Sequence, residues 1–186
     1  MKNILKVLFI TAMITPIALN AFGMGLTIPM FTNVEHENDN GRTWKEDSMS
    51  GYGLVLDTNI GKNKLYNYRL NIESNEIEAE NGYKFDKTSI VNTFGFALFR
   101  NEHVRVFMGP RLNIGFEDRR EDDSRLEYSL APAIGVNIHL GSVVSLGLDF
   151  DYKISALATS IGDYNDEDLS GITSRFYILF KFGENY

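Results

Sequence analysis

Eight stretches of this chain alternate between apolar and other residues at nearly every step: 25–34, 51–61, 65–73, 89–99, 103–117, 126–140, 143–155 and 172–182. A two-residue period is the side-chain period of a β-strand, because successive Cβ atoms point to opposite faces. A helix, with its period of 3.6, cannot sort such a pattern onto one face. In every stretch the even-numbered residues form the apolar set. The fifth runs Val104, Val106, Met108, Pro110, Leu112, Ile114, Phe116, and the seventh Val144, Leu146, Leu148, Phe150, Tyr152, Ile154. Of the 46 even positions in the eight stretches, 40 are large apolar or aromatic and none is charged. The odd positions between them hold charges, glycines and small residues.

The connections fix the topology. Lys62-Asn63-Lys64, Arg100-Asn101-Glu102 and Gly141-Ser142 are tight, whereas 35–50, 74–88, 118–125 and 156–171 are polar and read as long loops. Tight turns make hairpins. Long and tight connections taking turns place all the long loops at one end of an up-and-down meander. Eight such strands close into a barrel, which leaves no open edge. The expected fold is all-β, an eight-stranded antiparallel up-and-down transmembrane β-barrel over residues 24–186.

Residues 1–23 read as a cleaved secretory signal peptide. Lys2 and Lys6 precede a 13-residue, mostly apolar stretch from Val7 to Leu19, and small residues follow at Ala21 and Gly23. The whole chain carries 18 basic and 25 acidic residues, a net charge of −7; removing the leader leaves 16 against 25, or −9. That balance disfavours nucleic-acid binding, which needs clustered positive charge. The absence of cysteine excludes disulfides and thiolate chemistry.

Alternation alone suits a soluble barrel with an apolar inside or a membrane barrel with an apolar outside. Four features favour the membrane. The polar face is rich in small residues (Gly109, Gly115, Ser129, Ala131, Ala133, Gly135) that fit the tight interior of eight strands. The apolar face is too extensive for a small cavity. Strand lengths suit the roughly 9–11 residues of a tilted bilayer crossing. The aromatics also sort by height, with Tyr52, Phe116, Tyr128 and Tyr152 near the long-loop end and Tyr66, Tyr68, Phe180 and Phe182 near the tight-turn end. Two such girdles are what the two headgroup boundaries select.

With the even residues facing lipid, a polar network should fill the lumen: Asp57, Arg69, Arg105, Arg111, Glu127, Asp149, Asp151, Lys153, Arg175 and Lys181. Charges withdrawn from water need partners. A tight hairpin matching Ile60 with Tyr66 sets Asp57 opposite Arg69, while Arg111 and Arg175 should meet Glu127, Asp149 or Asp151. The same numbering rule, with Phe116 opposite Leu126, brings Pro110 to face Pro132.

No catalytic, metal or cofactor site is expected. His36 falls in the first long loop, His103 at a tight turn and His139 on the luminal parity near Ser142 and Ser145, without the convergence that metal or nucleophilic chemistry requires. Trp44, the only tryptophan, falls in the first loop, as a partner anchor or a rim residue. The run Asp163-Tyr-Asn165-Asp-Glu167-Asp resembles the start of a calcium loop but lacks its later glycine and glutamate, and reads as a solvated acidic loop.

The last strand, Arg175-Phe-Tyr-Ile-Leu-Phe-Lys-Phe182, alternates and ends in an aromatic. On this strand and the eightfold pattern, the chain resembles the small eight-stranded outer-membrane barrels of diderm bacteria, such as the transmembrane domain of outer-membrane protein A and the opacity proteins. The resemblance implies an outer-membrane location and assembly through the outer-membrane machinery, with Phe182 or Tyr186 as the terminal aromatic. It also implies lipid and lipopolysaccharide as neighbours. The function expected is structural or surface-interactive, with four acidic loops displayed to an extracellular partner. A narrow pore or small-solute conduit is the second reading, and a soluble lipocalin-like carrier with inverted faces the third.

Overall fold

The computed structural model describes residues 22–38, 40–58, 65–119, 123–160 and 167–182. Among the described residues nine strands form one closed antiparallel sheet: β1 (Phe22–Asn38), β2 (Thr43–Thr58), β3 (Tyr66–Ala79), β4 (Lys84–Arg100), β5 (Val104–Arg119), β6 (Asp123–Leu140), β7 (Val144–Lys153), β8 (Ser155–Ser160) and β9 (Glu167–Phe182). β7 and β8 are two halves of one stave, since both pair with β6 on one side and β9 on the other. The barrel therefore has eight staves, closed where β1 pairs with β9 from Phe22↔Phe182 to Asn38↔Glu167. Of the segment read as a leader, only Phe22 and Gly23 are described, and they open β1.

Large apolar side chains stand on the outside. Tyr52 is 73% exposed, Leu54 64%, Tyr66 64% and Ile134 50%, and no partner chain is needed to explain them if the exterior is lipid. On β9 the outward band runs from Ile172 to Phe182, which spans about 25 Å at the usual strand rise and barrel tilt. Among the described residues an amide lies in this band at Asn92. Its Oδ1 accepts the hydroxyl hydrogen of Tyr68 at 2.5 Å, so the lipid face leaves that oxygen paired. Tyr68 thus turns its hydroxyl into the band, whereas Phe180 and Phe182 stand fully outward near the tight turns.

The long loops expected at one end are instead mostly strand. β1 and β2 continue to a turn closed by Gly41 (φ 71°), with Asn38 Oδ1 accepting the Asn40 and Arg42 N–H groups. β3 and β4 continue to a turn at 80–83 that uses Gly82 (φ 77°). β5 and β6 are laddered as far as Arg119↔Asp123. The described residues of the polar segments 35–50, 74–88 and 118–125 are therefore mostly walls of the barrel that rise beyond the apolar band. Their polarity resembles that of loops because each raised strand meets water on its outer face and buries ion-paired side chains on its inner one. The calcium-like run lies outside the described residues up to Asp166; Glu167 and Asp168 begin β9.

Parity also fails locally. In β1, Met30 and Phe31 both face outward at a bulge, after which Thr32, Val34 and His36 point inward. In β2 a bulge between Glu46 and Ser48 turns Glu46 inward. A bulge shifts a strand by one residue and so exchanges its faces. The rule that even residues meet lipid holds only below these two points on β1 and β2.

Pro110 and Pro132 face each other within an unbroken β5–β6 register. The interruptions fall on their outer neighbours. The β4–β5 pairs skip from Thr93↔Arg111 to Phe96↔Met108, and the β6 ladder passes from β7 at Ala133 to β8 at Leu130. A residue's N–H in an antiparallel sheet points to one neighbouring strand only. The missing donors were aimed at β4 and β7, so the hairpin itself is spared.

Candidate functional site

The interior is the candidate site, and it is packed with ion pairs. Eight acidic residues (Glu46, Asp57, Glu73, Glu117, Glu127, Asp149, Asp151, Glu167) and nine basic ones (Arg69, Lys87, Arg105, Arg111, Arg119, Arg125, Lys153, Arg175, Lys181) are buried there among the described residues. The near balance is a physical requirement in a space without bulk water.

A lower tier links Asp57 to Glu73 through alternating charges. Arg69 donates to Asp57 from Nε (2.9 Å) and Nη2 (2.6 Å), and from Nη1 to Asp149 (3.2 Å). Arg111 donates to Asp149 from Nη2 (2.6 Å) and to Asp151 from Nη1 (2.5 Å), with its Nε on Thr93 (2.8 Å). Arg175 donates to Asp151 (2.6 Å) and to Glu73 (2.9 Å). Asp149 and Asp151 thus each join two arginines. The Arg69 guanidinium also lies between two inward rings, 4.3 Å from the Tyr177 centroid and 5.0 Å from that of Phe107.

The same barrel level carries its small residues for this reason. A Cβ on Gly135 would meet the Phe107 ring at 2.5 Å and Asp149 at 2.8 Å, so large luminal side chains on one stave require glycine on the next. Arg105, His139 and Lys181 occupy the tight-turn end, where Lys181 Nζ donates to the Gly141 carbonyl at 2.5 Å.

An upper tier rises beyond the apolar band. Glu127 accepts from both Lys87 and Lys153, the latter at 2.7 Å. Arg119 pairs with Glu117 (2.7 Å) and Glu167 (3.3 Å), and Arg125 with Glu167 (2.5 Å). His36, expected in a loop, is fully buried here. Its Nδ1 faces Glu167 at 3.2 Å and its Nε2 faces Glu46 at 3.1 Å. Trp44 is likewise not a loop residue. It stacks on His36 with centroids 3.6 Å apart, meets the edge of Phe85, and carries the Arg119 guanidinium 5.0 Å from its centroid. Together these residues cap the lumen.

Glu46 and Glu167 lie above the band. Burial alone would raise both carboxyls. Lys87 and the His36 hydrogen bond outweigh it at Glu46, and His36 with Arg119 and Arg125 at Glu167, holding each at about 2.

All ten luminal charges expected from the sequence are buried within the barrel. Glu73 and Glu117 close their strand stretches on the luminal parity and were legible there. His36, Glu46, Lys87, Arg119, Arg125 and Glu167 were not, because they sit in segments whose polarity reads as loop. Ser145 lies directly across the β6–β7 ladder from His139, but its Oγ donates to the Ile138 carbonyl at 3.2 Å. The serine is therefore engaged with backbone and not with the imidazole.

No family model and no curated protein matches the sequence. Solved structures do. The chain is similar to the outer-membrane protein OprG from Pseudomonas aeruginosa, with a TM-score of 0.55 and 11% identity over 88% of this chain and 95% of that one. It is also similar to Ail, the attachment invasion locus protein of Yersinia pestis, with a TM-score of 0.50 and 13% identity over 88% of this chain and 99% of that one. A second Ail structure, in complex with the heparin analogue sucrose octasulfate, gives 0.51 and 14% over 87% and 98%. The chain has the fold of the small eight-stranded bacterial outer-membrane β-barrels.

Proposed function

We propose that this barrel sits in the outer membrane as a closed scaffold and presents its raised hairpins to the outside as an interaction surface. The observation that carries the reading is the lumen: two linked tiers of buried ion pairs, roofed by Trp44 and Arg119, fill the space a conduit would need. What such a barrel offers its surroundings is the outer wall above the apolar band. There the described residues carry nine outward acids (Glu35, Glu37, Asp47, Glu76, Glu78, Glu80, Asp86, Asp118, Asp168) against three outward bases, Arg42, Lys45 and Lys84.

That wall fits a cationic partner and repels a polyanion. Ail was solved with a heparin analogue, but the charge here argues against transferring that ligand. Outer-membrane lipid and lipopolysaccharide surround the band, and the outer-membrane assembly machinery inserts the barrel, reading β9 with its terminal aromatic Phe182. No catalytic role is proposed.

Two measurements test the reading. A membrane-impermeant amine reagent on intact cells should label Lys45 and Lys84 and spare the buried Lys87 and Lys153; labelling of Lys45 and Lys84 only after permeabilisation would reverse the orientation. The refolded barrel in zwitterionic nanodiscs should bind a basic polypeptide, weakening with salt, and should not bind a sulfated polysaccharide. The opposite preference would refute the acidic-surface reading.

A further inference from the structure

Two histidines are buried in the lumen, and their surroundings differ. His36, in the upper tier, sets each ring nitrogen against a carboxylate. His139, near the tight-turn mouth, is 6% exposed, and among the described residues no hydrogen bond reaches its Nδ1 or its Nε2. A buried polar group without a partner is costly. An imidazole offers one donor and one acceptor when neutral, and two donors when charged. Its backbone is fixed: the His139 N–H donates to the His103 carbonyl at 2.7 Å, and the residue lies opposite Ser145 on the β7 ladder. Parity then keeps the ring on the luminal face.

Register gathers positive charge around this ring. Arg105 is the second residue of β5, and His139 and Lys181 are the last but one of β6 and β9. Arg105 lies opposite Asn137, two residues from His139. The Lys181 N–H donates to the Val143 carbonyl at 2.7 Å, in the turn that follows β6. The three side chains therefore cluster on the inner wall at the tight-turn end. Both cations act electrostatically on the His139 ring, and Arg100, directly across the ladder from Arg105, adds a charge at the rim.

Asp57 acts on Arg105 and His139 as well, but its oxygens are engaged elsewhere. Oδ2 accepts from Arg69 Nε and Nη2, and Oδ1 accepts from Asn67 Nδ2 at 3.1 Å. Glu102 is exposed in the turn. Arg69 also donates to Asn137 at 2.8 Å and lies against Phe107 and Tyr177. That layer closes the lumen above the three basic residues, so a ligand reaches them from the tight-turn side.

We infer that the tight-turn mouth binds an oxyanion, a phosphate or carboxylate group, received by the His139 imidazole together with the Lys181 ammonium and the Arg105 guanidinium. An oxyanion supplies the acceptors that these donors take and offsets the local charge. A metal ion, the other common imidazole partner, is repelled by the same two cations. Lys181 Nζ rests on the Gly141 carbonyl, a neutral acceptor, and on its flexible stem it swings aside to admit the anion and then pairs with it. The site lies at the opposite end from the raised hairpins and does not depend on what they bind.

Imidazole NMR of the full chain refolded in zwitterionic micelles tests it, with His139→Gln assigning the signal. At constant pH, inorganic phosphate, and acetate as the carboxylate probe, should shift the His139 resonances saturably in the millimolar range, whereas sodium chloride at matched ionic strength should not. The His36 signal, at the far end of the lumen, should stay still. Micelles doped with phosphatidylglycerol separate the two sources of phosphate: a shift with inorganic phosphate assigns a soluble ligand, and a shift with the lipid alone assigns a headgroup. Lys181→Met should weaken phosphate binding by about tenfold or more. Ser145→Ala, whose hydroxyl is engaged with the Ile138 carbonyl, should leave it unchanged. No saturable shift with any of these anions overturns the site, and so does phosphate binding that Lys181→Met leaves unaltered.

Discussion

Arg111 grips Asp149 across the lumen with two hydrogen bonds, Nη2 to Oδ2 at 2.6 Å and Nη1 to Oδ1 at 3.1 Å, and both side chains are buried. Asp149 is also the carboxylate that Arg69 reaches. Asp149→Ala therefore takes from two buried guanidiniums one of the two carboxylates each holds, leaving Arg69 with Asp57 and Arg111 with Asp151, and should cost about 3 kcal/mol. The urea midpoint of the refolded barrel measures it. Replacing both partners, as Arg111→Met with Asp149→Leu, should recover part of the loss, because an apolar pair leaves one fewer buried charge unmatched. A single variant within 1 kcal/mol of the parent, on the order of a surface pair, would show that this bridge does not hold the lower tier.

The cap should be sensitive to acid. Glu46 and Glu167 are lowered from 4.5 to about 2 in the fold. A carboxyl lowered on folding contributes stability that is complete above its unfolded value and is lost as pH falls through its folded value. The cap should thus be unchanged from pH 7 to 5 and loosen between about 4.5 and 2. Trp44 is the only tryptophan and stacks within the cap, so its emission reports the event. A steady signal down to pH 5 followed by a red shift is expected. A shift already complete at pH 5 would contradict the assignment, as would a Glu46→Gln variant with the parent's profile.

On the lipid face, Tyr68 and Asn92 form a closed pair. Tyr68→Phe should destabilise by about 1–2 kcal/mol, since the amide is left bare in hydrocarbon. Asn92→Leu alone should be neutral or stabilising, and adding it to Tyr68→Phe should cancel most of the penalty. A double-mutant cycle in micelles measures the coupling. Additive effects would mean that the hydroxyl and amide do not meet.

Planar-bilayer recording separates scaffold from pore. The parent barrel should show no reproducible conductance steps, because Arg69, Arg111 and Arg175 span the lumen with their carboxylates. Trimming all three to alanine should introduce steps if the variant inserts. Regular steps from the parent protein would restore the pore reading.

The strand period made much of this legible. A side chain's face in a strand depends only on its parity, so the apolar exterior and the ten luminal charges could be read without knowing any neighbour. The tight connection after β2 fixed register in the same local way, so the numbering that sets Asp57 opposite Arg69 is that of the folded ladder, and matching Phe116 with Leu126 did the same for Pro110 and Pro132.

What the chain alone determined, then, is a wall with two chemically opposed faces and its hairpin registers, because both follow from spacing along a single strand. Tertiary structure decided the rest. Polar strands above the membrane look like loops until their partners are in place, so His36, Glu46 and Trp44 became interior only once β1 and β2 were seen to continue. Partner choice is a matter of reach across a closed lumen: Arg175 finds Glu73, 102 residues away in sequence. The broken ladder between β1 and β2 belongs to the same class. It lies between a bulge on β1 and another on β2, whose places show only once β1 is paired with β9 and β2 with β3.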